Sequence, residues 1–140
     1  MPTVSLTVPN RVEFVRPATA FLVQAARALA VRAAEAPVFE VAISEAITNA
    51  IRHGGSRDPG STVTCQLEVC DGELRVRIID DGQGFEVPAA PLPDVSRDRI
   101  EALPSSGYGL PIIHTVFPIV RVVNVDGRFG LELALPAALA

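Results

Sequence analysis

The stretch TVTCQLEVCDGELRVRIID, residues 62–80, decides the class of fold. Its first half alternates without a break. Val63, Cys65, Leu67 and Val69 fall on one face, and Thr62, Thr64, Gln66 and Glu68 on the other. A period of two is that of a half-buried strand. Asp71-Gly72 is the residue pair of a primed two-residue turn, and residues 73–80 return with Leu74, Val76 and Ile78 inward. A hairpin with one apolar face needs a second layer to cover it.

The flanking segments supply that layer. Residues 11–34 are rich in Ala and Arg at helical spacing, and Pro17 must either begin the helix proper or kink it. Pro37 suits the first turn of a second helix, which runs to about His53 and stops at Gly54-Gly55. Further out, residues 3–8 alternate as a strand with Val4, Leu6 and Val8 on one side, and Asn10 is placed to cap the first helix. Residues 110–117 read as a short helix with Pro111 in its first turn. Residues 119–126 and 131–136 read as a second hairpin around Asp126-Gly127. Residues 85–106 have no sustained period, and so long an irregular segment in a compact domain reads as a functional loop or lid. The expected fold is α+β: a two-layer sandwich of helices on one face of a mostly antiparallel mixed sheet. It is expected to be one domain over residues 1–140, with the lid at about 85–108.

Composition narrows the chemistry. The chain is 49% hydrophobic and 20% charged, which suits a globular domain. Its net charge of −4 argues against a nucleic-acid backbone as partner. All 12 basic residues are Arg, so neither a Walker A lysine nor Schiff-base chemistry is available. Cys65 and Cys70 should face opposite sides of one strand, and neither has metal-ligand spacing with the other or with His53 and His114. Both read as packing residues. No stretch has the pattern of a signal peptide or the length of a membrane span, so the expectation is a cytoplasmic protein with no membrane partner.

Three motifs remain. EAITNAIRHG, residues 45–54, sets Glu45, Asn49 and His53 at four-residue intervals beside Val41, Ala42, Ala46, Ile47, Ala50 and Ile51. Singly, each polar residue reads equally well as a solvated group, with His53 favourable to a helix C-terminus. Together, a carboxylate and an amide at the core border need partners or a cavity, and they suit a hydrated Mg²⁺. IIDDGQGF, residues 78–85, ends a strand on Asp80 and turns on Gly82 and Gly84. Alone it is an ordinary Asp-Gly turn. SSGYGLPII, residues 105–113, puts Gly107 and Gly109 before a helix N-terminus, where unpaired N–H groups favour an anion.

In this order the motifs resemble the GHKL ATP-binding fold, which includes gyrase, histidine kinases and MutL-type repair proteins. Within it, SEAITNAIRHG at residues 44–54 is most similar to the helix motif of the anti-sigma factor serine/threonine kinases of partner-switching systems. The resemblance implies ATP and Mg²⁺ as cofactors. Asn49 would ligate the metal and Glu45 would act as base. Asp80 would accept from the adenine amino group, with Gly82 and Gly84 allowing close backbone approach. Gly107, Tyr108, Gly109 and Leu110 would turn the lid onto the phosphates, while His53 would be structural support. The implied substrate is a Ser or Thr on a small STAS-domain antagonist. A sigma factor or similar regulator would be the other partner, and a homodimer the assembly.

The chain departs from the pattern at the lid. Ser105 and Tyr108 stand where relatives carry Arg, and Gly130-Leu131 stands where a Gly-Thr pair is common. Nucleotide binding survives these losses more easily than phosphoryl transfer, which needs the γ-phosphate charge neutralised. Arg97 or Arg99 is expected to reach the γ-phosphate instead. Two rival readings are a nucleotide-binding regulatory module and a detached histidine-kinase catalytic domain. The second fits less well, because no dimerisation helix with an acceptor His reads out of the residues before the ATP fold.

Overall fold

The computed structural model describes residues 2–54, 60–80 and 109–137. Strand β1 (Thr3–Pro9) leads through a short 3₁₀ turn into helix α1 (Val15–Ala28). A second 3₁₀ turn (Arg32–Glu35) precedes α2 (Pro37–Asn49), which continues as a π turn (Ala50–Gly54). The hairpin β2 (Thr62–Cys70) and β3 (Glu73–Asp80) comes next. Helix α3 (Gly109–Val116) and the hairpin β4 (Ile119–Val125) and β5 (Arg128–Pro136) complete the described chain. The sheet order is β1-β2-β3-β5-β4, and every ladder in it is antiparallel. The expected α+β sandwich is what forms.

Pro17 begins α1 rather than kinking it: it is the third helical residue, where a missing N–H goes unmissed. The helical stretch expected over 11–34 is divided, because the chain turns left-handed at Ala30, with φ of 59°. The amide of Val31 then donates to the Ala26 carbonyl at 3.1 Å and that of Ala30 to Arg27 at 2.9 Å, a Schellman closure. The expected cap at Asn10 is overturned. Its backbone amide donates to the Ser61 carbonyl at 2.9 Å and its side-chain amide to the Ser61 hydroxyl at 3.3 Å. Asn10 therefore ties the end of β1 to the residue before β2, and its side-chain oxygen takes no helix amide.

The core lies between the helices and one face of the sheet. Val63, Cys65, Leu67, Leu74, Val76 and Ile78 are buried on that face, as their alternation required. Leu22 of α1 and Phe39, Ile43 and Ile47 of α2 meet them from the other layer. Ala18, Ala26, Ala42 and Ala46 are buried too, and their small side chains let the helices pack closely. Phe117, just past α3, meets Phe39 with ring centroids 5.8 Å apart and planes inclined by 45°. That tilted pair joins the end of α3 to α2.

The sheet's other face is polar and carries an ion ladder across four strands. Arg77 of β3 meets Glu68 of β2 at 3.7 Å and Glu132 of β5 at 2.7 Å, and Arg121 of β4 meets Glu132 at 2.7 Å. Burial by itself would raise the Glu132 carboxyl, but the two guanidiniums outweigh it and hold the group below the usual glutamate range.

Candidate nucleotide site

The polar stripe sits where α2 leaves the core. Ala42, Ile43, Ala46 and Ile47 are fully packed, while Glu45 and Asn49, one turn apart, are half-buried at the border. Thr48, between them, turns its hydroxyl back to the Ser44 carbonyl at 2.7 Å and so does not compete for a ligand. Beyond Asn49 the helix widens into the π turn, which packs against β3. Single π turns recur at functional sites because they re-aim the side chains around them.

Burial pushes the Glu45 carboxyl up, and the Arg52 guanidinium acts against that rise. A raised carboxyl is a stronger proton acceptor once ionised than an ordinary one. Arg52 is a residue that the motifs alone do not single out.

Asp80 is the last residue of β3, opposite Phe129 of β5, and its side chain is fully buried. A carboxylate at 0% exposure runs against the usual surface preference of Asp, which marks the position as specialised. Helix α3 begins at Gly109 and Leu110 and packs along α2. Helix α2 thus packs against α3, and the π turn that continues it packs against β3. Gly82, Gly84, Arg97, Arg99, Ser105, Gly107, Tyr108 and the expected lid lie outside the described residues. The side chains of His53 and Leu110 do also.

Among the described residues no group of three His, Cys, Asp or Glu could hold a metal ion. A hydrated Mg²⁺ keeps its waters and takes one or two protein oxygens plus substrate phosphates. A half-buried amide oxygen beside a carboxylate is a hard-donor set of that kind. No helix among the described residues is long and apolar enough to cross a membrane.

The model of the histidine kinase-like ATPase domain family matches residues 8–134 of the chain. The anti-sigma F factor of Clostridium botulinum (strain Eklund 17B / Type B) is 36% identical over 78 residues, covering 54% of this chain and 52% of that protein. The serine-protein kinase RsbW of Bacillus subtilis (strain 168) is 30% identical over 91 residues, covering 63% of this chain and 57% of that one. The chain therefore spans about half the length of the relatives it matches. Among solved structures, the RsbU and RsbW domains of Rv1364c from Mycobacterium tuberculosis superimpose with a TM-score of 0.63 at 19% identity. The match covers 100% of this chain and 35% of that one, and at such identity it speaks to the fold alone. The catalytic domain of histidine kinase ThkA gives a TM-score of 0.51 at 13% identity over the whole of both chains.

Proposed function

Because the chain belongs to the histidine kinase-like ATPase family, we propose that it binds Mg-ATP beside α2 and transfers the γ-phosphate to a protein Ser or Thr. In this reading it works as an anti-sigma-type kinase in the cytoplasm. It phosphorylates a STAS-domain antagonist and holds or releases a sigma factor accordingly, as a homodimer. One observation carries the reading: half-buried Glu45 and Asn49 share one border of α2, and the π turn that continues α2 packs against the strand that ends on buried Asp80. The names of the relatives, an anti-sigma F factor and a serine-protein kinase, point the same way.

Each residue has a separable task. Asn49 offers an amide oxygen to Mg²⁺, which when bound neutralises phosphate charge. Glu45 takes the proton from the attacking hydroxyl. Asp80 accepts from the adenine amino group, which selects adenine over guanine because guanine presents a carbonyl there. The backbone N–H groups of Gly107 and Gly109 would serve the phosphates in place of a lysine. Arg97 or Arg99 supplies the positive charge that Ser105 and Tyr108 do not.

The deciding experiment is incubation with Mg-ATP and candidate STAS proteins, read by mass spectrometry for phosphoserine or phosphothreonine. Thermal shift gives the binding half. ATP or ADP at a hundredfold excess over Kd should add about 2.7 kcal/mol, and GTP much less. Glu45→Ala should keep nucleotide affinity within a few fold and abolish transfer, whereas Asn49→Ala should weaken Mg-dependent binding itself. Normal binding and transfer in both would make the stripe structural. The lid favours a second reading, a nucleotide-binding module without transfer, since Ser105 and Tyr108 replace the usual Arg. Substituting Arg97 and Arg99 together by Ala separates the two readings. In a kinase this weakens ATP more than ADP and slows transfer at least about tenfold.

A further inference from the structure

One arginine on the polar face of the sheet has a different partner from the others. Arg77 and Arg121 both meet Glu132 in the ion ladder. Arg128, the first residue of β5, shares their face, because it alternates with Gly130 and Glu132 along the strand. It is half-buried, and its Nη2 donates to the main-chain carbonyl of Thr62, the first residue of β2, at 3.2 Å.

The sheet order puts β3 between those two strands, so the guanidinium crosses β3. The register fixes the crossing point. Phe129, next to Arg128, pairs with Asp80, the last residue of β3. On the other side Thr64 pairs with Ile79, which sets the start of β2 level with the end of β3. Two inter-strand spacings come to about 10 Å, so the Arg128 side chain has to lie extended across that strand end. Asp80 points the other way, to the core face that Val76 and Ile78 also occupy, and is fully buried.

Strand ends are where a ladder opens at least cost. A carboxylate held in one place there accepts from an amino group and repels a carbonyl; one free to tilt does each less well. We propose that Arg128 is a positioning residue for Asp80: by tying β5 to β2 behind the end of β3, it fixes the carboxylate that reads the adenine amino group. The brace stands on the geometry alone, whereas its use by Asp80 rests on the nucleotide reading given above.

Two measurements on Arg128→Ala separate the brace from its use. Without nucleotide, amide exchange should quicken about tenfold at Ile79 and Asp80 and stay unchanged at Leu67 and Val76, nearer the middle of their strands. The ratio of ADP to GDP affinity, read by calorimetry, should fall about tenfold. Arg128→Met, which keeps the apolar stem across β3, should do the same and serves where the alanine variant is too unstable. Arg77→Ala is the control: it takes a cation from the same face and lowers stability, yet the affinity ratio should keep its wild-type value. Unchanged exchange at Ile79 and Asp80 would overturn the brace. Faster exchange with an unchanged ratio would overturn its use by Asp80, as would an equal loss of selectivity in Arg77→Ala. Wild-type protein with no preference for ADP would instead sink the nucleotide reading and the positioning role with it, and the exchange data would still decide the brace.

Discussion

The two hairpins begin from the same local chemistry and end in different circumstances. Both turn on Asp-Gly, with φ of 54° and 76° at Asp71 and Gly72, and 53° and 81° at Asp126 and Gly127. Those are the left-handed pairs of a type I′ turn, whose twist matches that of the strands it joins. Yet β2–β3 lies at the centre of the sheet with every inward side chain buried, while β4 lies at its edge with Val122 half out in solvent. Turn chemistry makes a hairpin. Its neighbours decide how much stability each side chain in it contributes.

The largest test compares one apolar residue from each hairpin. Leu67→Ala removes a fully buried side chain from the core and should cost about 2–5 kcal/mol by urea denaturation. Val122→Ala, at half exposure, should cost under about 0.5 kcal/mol in the monomer. Similar losses would show that the edge is packed as tightly as the centre.

Next in size is the ladder that couples the hairpins. Glu132→Gln leaves Arg77 and Arg121 without their shared anion, at a cost of about 1–2 kcal/mol. Both guanidiniums reach solvent, with side-chain exposures of 32% and 51%, which limits the penalty. The sign with pH comes from the direction of the shift. The folded carboxyl titrates below its unfolded value near 4.5, so the contribution is fully present above that pH and fades as acid protonates the folded group. Wild type and Glu132→Gln should therefore converge in stability in acid and diverge toward neutral pH. A gap that stayed constant with pH would remove the ladder from the account.

A finer comparison concerns the turns themselves. A Cβ added at Gly72 or Gly127 meets nothing within 4 Å, so the cost of Ala at either is backbone strain alone, about 1 kcal/mol. The two variants should lose nearly equal stability although the hairpins do not share an environment. The smallest effect is expected at Ala30, which holds a left-handed φ of 59° without being glycine. Ala30→Gly should stabilise by up to about 0.5 kcal/mol, since relieving the strain outweighs the freedom gained by the unfolded chain.

Much of the fold was legible because its signals are local. Alternation in residues 62–69 named the buried face correctly at Val63, Cys65, Leu67 and Val69. Pro37 marked the start of α2. The errors fell at Asn10 and Ala30. Asn10 has the chemistry of a cap, but Ser61 of a remote segment claims it. The break at Ala30 escaped notice because Ala is a helix former, and only the Schellman bonds to Arg27 and Ala26 hold it left-handed. At the candidate site, Glu45 and Asn49 stood out by spacing and residue type, whereas Asp80 stood out only through the resemblance. Arg52 could not be ranked, since its bearing on Glu45 depends on how a long side chain lies along the helix.

Taken alone, the sequence determined the elements, their inward faces, the two Asp-Gly turns and the motifs that resemble a nucleotide site. Each of these comes from backbone sterics and from the period of side chains along one segment. Only the tertiary structure decided the order of strands, with β5 inserted between β3 and β4. It alone also decided the full burial of Asp80, the π turn after Asn49 and the ladder running from Glu68 to Arg121. These depend on which segments become neighbours. A chain's own pattern specifies what a face needs to bury, and many partners satisfy that need until packing selects one.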